Sequence, residues 1–531
     1  MIHQIRNVFL LLAMLPSYLF AQNQSAGLYE SLQQEMKEFE TNTFVYMTKD
    51  MDFLRIPAKD ATRSAIIGSK TNVTILAPPS EFDMPYHLID NPQTLISNLS
   101  TIDSMQIYSA KLDPATQPWS DDYWPHYKGM TAKRYAESKY IGLNDFLYNM
   151  SLVTTQQSAL SAIWGNQHAV ENDWNVLSPA EKYDLLIGYD TVPTSEREAL
   201  RRRLGYNDYN IPDGLLTPHQ WSEGANYYYR SKFVESWMGL CHGWAAASYV
   251  VPRPSHSIEL PAANNPNRKI KFYPSDIKAL TTLLWSSQTG TTKYAGGRCY
   301  DQNPTVDPET GRVISQDCFD TNPSAFHLSL VHQIAREKRS FIMDATYDYQ
   351  VWNHPIIGYH YVYFDPTDST KTSYRWQDVA RDKNDPQFLI ADKFRKFRTK
   401  NGSGQYFQNV VGVYVNVEYL VETNPVQRST DTFENDAART VRYMYDLELS
   451  PNGDVVGGEW YNNVHPDFLW AIPSGAYEAK KHHTSLDSHL REDWDGVSSL
   501  PLDWQEAART RAQSEGKPLA KIVDALVRLS H

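Results

Sequence analysis

The 531-residue sequence predicts an α+β protein in which helices come first and an antiparallel sheet follows. Two observations carry this. From about residue 130 to 287 apolar residues recur at helical spacing, whereas beyond residue 325 they fall in runs rich in β-branched and aromatic residues. A hairpin turn, "SPNGD", separates the last two of those runs. With 41% hydrophobic residues there is apolar material for a large body, and the length suggests two or three structural units.

The first residues, "MIHQIRNVFLLLAMLPSYLFAQNQS", read as a signal peptide over 1–21. Arg6 supplies a basic start, an apolar run follows, and Ala21 is the last residue before cleavage. The run spans about fourteen residues and contains Pro16, against the roughly twenty that a membrane-spanning helix needs. A secreted protein is expected, or a periplasmic one if the source is bacterial, with no membrane anchor after cleavage.

Residues 22–125 are mixed and loop-rich, an accessory segment or a propeptide. They contain one helical stretch, "GLYESLQQEMKEFE", and end in "LDPATQPWSDDYWPHYKG", which reads as a boundary. In "VLSPAEKYDLLIGYD", Ser178 is an N-cap, Pro179 opens the first turn and Glu181 completes a capping box. "ESWMGLCHGWAAASYV" and "SDIKALTTLLWSS" are the next apolar helices. The strand candidates are "AFHLSLVHQI", "RSFIMDATYDY", "YHYVYFD", "NVVGVYVNVEYLV", "RYMYDLEL" and "DVVGGEW". The last segment, 476–531, is an amphipathic helical tail that either packs on the body or holds a partner.

A net charge of −12 excludes a general nucleic-acid binder, since no basic surplus exists to neutralise phosphates. The three cysteines are more informative. Cys299 and Cys318 flank a polar loop, and bridging them contributes roughly 3 kcal/mol in the chain-entropy model. Cys241 is then the odd thiol: buried and inert, an intermolecular link, or a nucleophile. In "GLCHGWAAASYV" it opens a helix, where the dipole and unpaired N–H groups lower a thiol pKa. Its own N–H would face an oxyanion on the attacked carbonyl.

A thiolate nucleophile needs a base, and the base an orienting group. A hairpin centred near Ala335–Arg336 would set His327 opposite Asp344 on neighbouring strands. Alternation turns His332 to the other face, so it reads as structural. His242 projects away from Cys241 on the helix and also reads as structural. His354 and His360 are outside candidates.

A cysteine on a helix, followed by a histidine and an aspartate on strands, is the order of the papain-like and transglutaminase-like fold. The blocks "WMGLCHGWAAA", "SDIKAL", "GGRC", "NPSAFHLSLVHQI", "FIMDATYDYQVWNHPIIGY", "LELSPNGDVVGGEW" and "HPDFLW" resemble the transglutaminase elicitor family of secreted protein-crosslinking enzymes. The resemblance implies a catalytic domain over 126–475, its nucleophile helix packed on an antiparallel sheet. It also implies a protein-glutamine gamma-glutamyltransferase. Cys241 would attack a glutamine side-chain amide, His327 would act as base and Asp344 would orient it.

The partners implied are protein substrates, one supplying Gln and the other Lys or another primary amine. Trp237 is a candidate oxyanion donor through its indole N–H. Trp237, Trp244, Tyr347 and Trp352 would keep water from the thioester. The chemistry requires no cofactor and no metal. Calcium stays open, because acidic loops such as "YDQNPTVDPETG" exist, although none has EF-hand spacing. The competing readings are a cysteine peptidase or glutamine deamidase of the same fold, and a non-catalytic surface protein recognised by a host.

Overall fold

A computed structural model of the chain describes residues 88–125, 130–132, 135–136, 174–188, 237–263, 265–286, 292–299, 301, 303–345, 350–398, 407–474, 482–490, 493–515 and 517–531. The signal peptide, the helix expected near residue 30 and Tyr347 lie outside the described residues.

In chain order the described elements begin with α1 (Leu99–Met105), β1 (Ser109–Lys111), α2 (Pro179–Leu186) and α3 (Cys241–Val250). A hairpin of β2 (Ile258–Ala262) and β3 (Asn265–Phe272) leads to α4 (Pro274–Trp285), β4 (Lys293–Gly296) and α5 (Pro323–Leu330). Then come β5 (Ile342–Asp344), β6 (Asn353–Asp365), β7 (Asp368–Ser373), β8 (Arg381–Asp382), β9 (Asn409–Val421), β10 (Ala437–Leu449), β11 (Val455–Gly457) and β12 (Phe468–Ala471). The chain ends in α6 (Leu502–Glu515) and α7 (Ala520–Ser530).

The central sheet runs β11-β10-β9-β6-β5-β12-β4, with β1 and β7 also on β6 and β8 on β9. Its described pairings are antiparallel. This is the α+β class expected, and β9 covers the run "NVVGVYVNVEYLV" from end to end. Successive residues of a strand point to opposite faces, so neighbours in sequence assign the two sides. Ile342 and Trp470 pack with α3, α4 and α7 in one core. Met343 and Leu469, each next in sequence to one of them, pack with α1 and α5 in the other. Helices therefore cover both faces of the sheet.

Local chemistry explains the helix starts. Ser178 accepts from the Glu181 N–H, and the Glu181 carboxylate accepts from the Ser178 N–H, the capping box expected. Lys182 of α2 then pairs with Asp276 of α4 at 2.6 Å with both side chains fully buried, which ties the two helices together. A pair so buried is costly to break from one side only.

The run "AFHLSLVHQI" is a helix, not a strand. Asn322 caps α5 by accepting from the Ser324 N–H, Pro323 opens the first turn, and a π-helical turn over Val331–Arg336 continues it. Phe326, Leu330 and Ile334, four residues apart, bury one face. Described residues before 125 contact the elements that follow. β1 pairs with Gly358–His360 of β6, and Trp119 lies in the core that holds Cys241. The tail packs on the body: Leu519, Ile522 and Leu526 enter that same core.

The residues 118–125 run along α3. The Trp119 indole donates to the Val251 carbonyl at 3.1 Å, and the Trp244 indole donates to the Trp119 carbonyl at 2.9 Å. At the helix start the Leu240 N–H donates to the Tyr123 carbonyl at 2.6 Å.

On its other side α3 meets α4 backbone to backbone at Gly243, where an added Cβ would stand 2.4 Å from the Thr282 carbonyl oxygen. Because backbone cannot swing aside as a side chain can, Gly243→Ala is expected to destabilise the protein by about 2 kcal/mol or more. Equilibrium urea unfolding measures this, and an unchanged midpoint would show that α3 and α4 separate easily.

Candidate active site

Cys241 is the first residue of α3, after Leu240 as N-cap with no side-chain cap bond. The thiol is 4% exposed. Two groups meet the sulfur. The S–H faces the Val351 carbonyl at 3.7 Å, and the Asn353 side-chain amide donates to Sγ at 3.4 Å.

Asn353 begins β6, directly opposite Asp344 at the end of β5. Its amide cannot be turned round, because its oxygen accepts from the Trp470 indole N–H at 2.7 Å and an indole only donates. Asp344 is buried on the face of the sheet that carries Asn353 and accepts from the Trp352 N–H at 2.9 Å. That bond ties the residue before β6 to the end of β5. Trp352 in turn meets the Tyr123 ring at 5.3 Å between centroids.

Burial pushes the Cys241 thiol up to about 11, and the charges of Glu422 and Asp344 act in the same direction. The N–H groups of Asn353, side chain and backbone, act against it. In this closed arrangement the group is a neutral thiol that donates to one neighbour and accepts from another.

The expected partner His327 is elsewhere. It sits on α5, against the opposite face of the sheet from Cys241, with Nδ1 2.9 Å from the Tyr445 hydroxyl and its ring 4.8 Å from that of Tyr361. Because the segment is a helix, the hairpin that would have set it opposite Asp344 does not form. The residue facing Asp344 is Asn353. Burial alone lowers His327 to about 3, so it is neutral.

Trp237 lies two residues before Gly239, with the Arg298 guanidinium 5.7 Å above its ring. His242 makes a 3.1 Å contact with the Ser286 carbonyl of α4, and His332 a 3.1 Å contact with the Thr94 hydroxyl. His354 has Nδ1 2.9 Å from the Leu420 carbonyl and Nε2 3.8 Å from Glu422. Its ring stands edge-on to Trp244, one turn along from Cys241, at 6.0 Å. A carbonyl only accepts, so the Nδ1 atom carries the proton and Nε2 keeps its lone pair for neutral His354.

Cys299 and Cys318 form a disulfide, and Cys241 is the free cysteine. In the acidic loop between those two, Asp307 and Glu309 pair with Lys396 at 2.6 and 2.8 Å. Among the described residues no group of three His, Cys, Asp or Glu side chains is arranged to hold a metal ion. Sequence reasoning missed Asn353. Its signal was its place next to "HP", at the first strand position after the loop that follows Asp344.

Residues 228–484 match the family model described as the transglutaminase elicitor. Over those residues the chain is similar to that family. The match spans α3, the disulfide, β5 and the strands from β6 to β12, while residues 88–125 and the tail helices lie beyond it. No curated protein matches the chain. Among solved structures the chain is similar to the GP42 transglutaminase from Phytophthora sojae, at 17% identity and a TM-score of 0.39, over 80% of this chain and 94% of that one. That likeness is too distant to bear on the site.

The placement of His327 has a measurable consequence. His327→Gln is expected to cost about 1–3 kcal/mol near neutral pH through the lost Tyr445 contact. A histidine held neutral at about 3, against 6.5 when unfolded, contributes stability that is present above 6.5 and lost as pH falls towards 3. The deficit of the variant should therefore shrink on going from about pH 7.5 to about pH 5. Denaturant unfolding at the two pH values checks this, and a deficit that grows on acidification would contradict a buried neutral His327.

Proposed function

We propose that the protein is a cysteine-dependent acyltransferase that joins glutamine side chains of one protein to lysine side chains, or other primary amines, of another. The observation that supports this most directly is the setting of Cys241 within a region similar to the transglutaminase elicitor family. It is the free thiol, it opens a helix packed on an antiparallel sheet, and N–H donors meet its sulfur.

In the reaction the thiol gives up its proton and the sulfur attacks the amide carbon. A C–S bond forms, and the C=O electron pair moves to oxygen. As the carbonyl re-forms, the C–N bond breaks and the nitrogen leaves as ammonia with the proton the thiol gave up. The amine acceptor then attacks the thioester, loses a proton and releases the thiol, leaving an isopeptide bond. We assign the imidazole of this reaction to His354 rather than to His327, because although His354 pairs with Met343 in register, its ring meets Trp244 of α3 and its Nε2 faces Glu422, a charge that bears on Cys241. Asp344 is the carboxylate across from Asn353. The Val351 carbonyl, which accepts from the thiol, favours its neutral form.

The disulfide supports an extracellular setting, where such bonds persist. One observation favours the non-catalytic reading, a surface protein recognised by a host: the thiol is buried and neutral at rest. Incorporation of a fluorescent primary amine into casein separates the readings. The expected result is incorporation that Cys241→Ala removes, with His354→Asn and Asp344→Asn lowering kcat by about a hundredfold or more and His327→Gln leaving it within about threefold. Absence of incorporation by the intact protein and by a proteolysed sample would remove the acyltransferase reading. Conversion of casein glutamine residues to glutamate residues, with ammonia release and no amine incorporation in excess amine, would point to a deamidase.

A further inference from the structure

We propose that Asn353 is a catalytic residue whose side-chain amide N–H holds the negative charge on the Cys241 sulfur. This rests on the reading of Cys241 as a reactive thiol and names the group that makes it one.

Three observations carry the assignment. The first is contact: the side-chain amide nitrogen lies 3.4 Å from Sγ, the range of an N–H donor on sulfur. The second is orientation. A side-chain amide offers a donor at one end and an acceptor at the other, and only the donor end stabilises an anion. Trp470 decides which end faces the sulfur, because its indole N–H occupies the amide oxygen at 2.7 Å. The third is fixation. Asn353 is 3% exposed and the first residue of β6, locked by pairing with Asp344, and Trp470 is in β12, which pairs with β5. Three strands therefore set the amide before any substrate arrives.

The chemistry of the surroundings requires such a donor. Burial and two nearby carboxylates oppose ionisation of the thiol, and the N–H groups of Asn353 are the influences acting the other way. The amide also has a structural role, since an apolar residue of the same size would fill the space but leave the buried Trp470 indole N–H without its acceptor. The readout must therefore report the charge on sulfur and not stability alone.

The test is the pH dependence of Cys241 alkylation by iodoacetamide, followed by mass spectrometry of the Cys241 peptide in the full-length protein. A purely packing role would not move this profile. Asn353→Ala is expected to slow alkylation about tenfold at fixed pH, equivalent to raising the thiol by about one pH unit. Asn353→Asp, which replaces a donor by a negative acceptor, should slow it further. Trp470→Phe keeps an aromatic ring but removes the indole N–H and frees the amide to rotate, so it should give a smaller shift in the same direction even if Asn353→Ala does not fold.

A profile unchanged in folded Asn353→Ala, or in folded Trp470→Phe when the alanine variant does not fold, overturns the proposal. The outcome is separable from the acyltransferase reading. A shifted profile in a protein that incorporates no amine would retain Asn353 and remove the transfer activity. Normal incorporation with an unshifted profile would do the reverse.

Discussion

Gly243 has no side chain, and the backbone of α4 occupies the space one would take. This close approach sets how deep α3 lies, and with it the depth of Cys241 two residues earlier. The alanines that follow, Ala245, Ala246 and Ala247, are all fully buried and let the helix lie close to the sheet. The thiol reaches Asn353 because α3 lies so near β6. Everything at the site inherits that spacing.

Depth has an electrostatic consequence. A thiol taken out of water prefers its neutral form, and the nearby carboxylates strengthen the preference. Helix position alone, the argument available from the sequence, points the opposite way. In the folded protein burial wins, because the cost of desolvating the anion exceeds the helix-start advantage. The Asn353 donors are what remain to offset it. The resting thiol is neutral, with the Val351 carbonyl against it and the Tyr123 and Trp352 rings meeting each other near the start of α3.

Those contacts come from distant parts of the chain. Tyr123 belongs to a segment that reads as a linker from its Pro and Asp content, yet its backbone caps the start of α3. The tail helix α7, which lies outside the family match, fills the core under α3 and α4. Composition cannot register this, since hydrogen bonds from backbone carbonyls leave no side-chain signature.

Several features were legible in the sequence because they depend on neighbours in the chain. The Ser178 capping box, the Cys241 helix start, the long strands β9 and β10 and the turn at Gly453, which takes a left-handed φ of 86°, follow from local chemistry. The pairing of Cys299 with Cys318 followed from counting thiols. The helix at His327 was legible too, since Asn322 and Pro323 mark its start, but alternating apolar residues imitated a strand. Tertiary structure alone decided which groups face Cys241. A strand contributes to a site only through its face and its register, and both are fixed by partners far away in sequence. That is why Asp344 meets Asn353 and why His327, on a helix against the other face, does not meet the thiol.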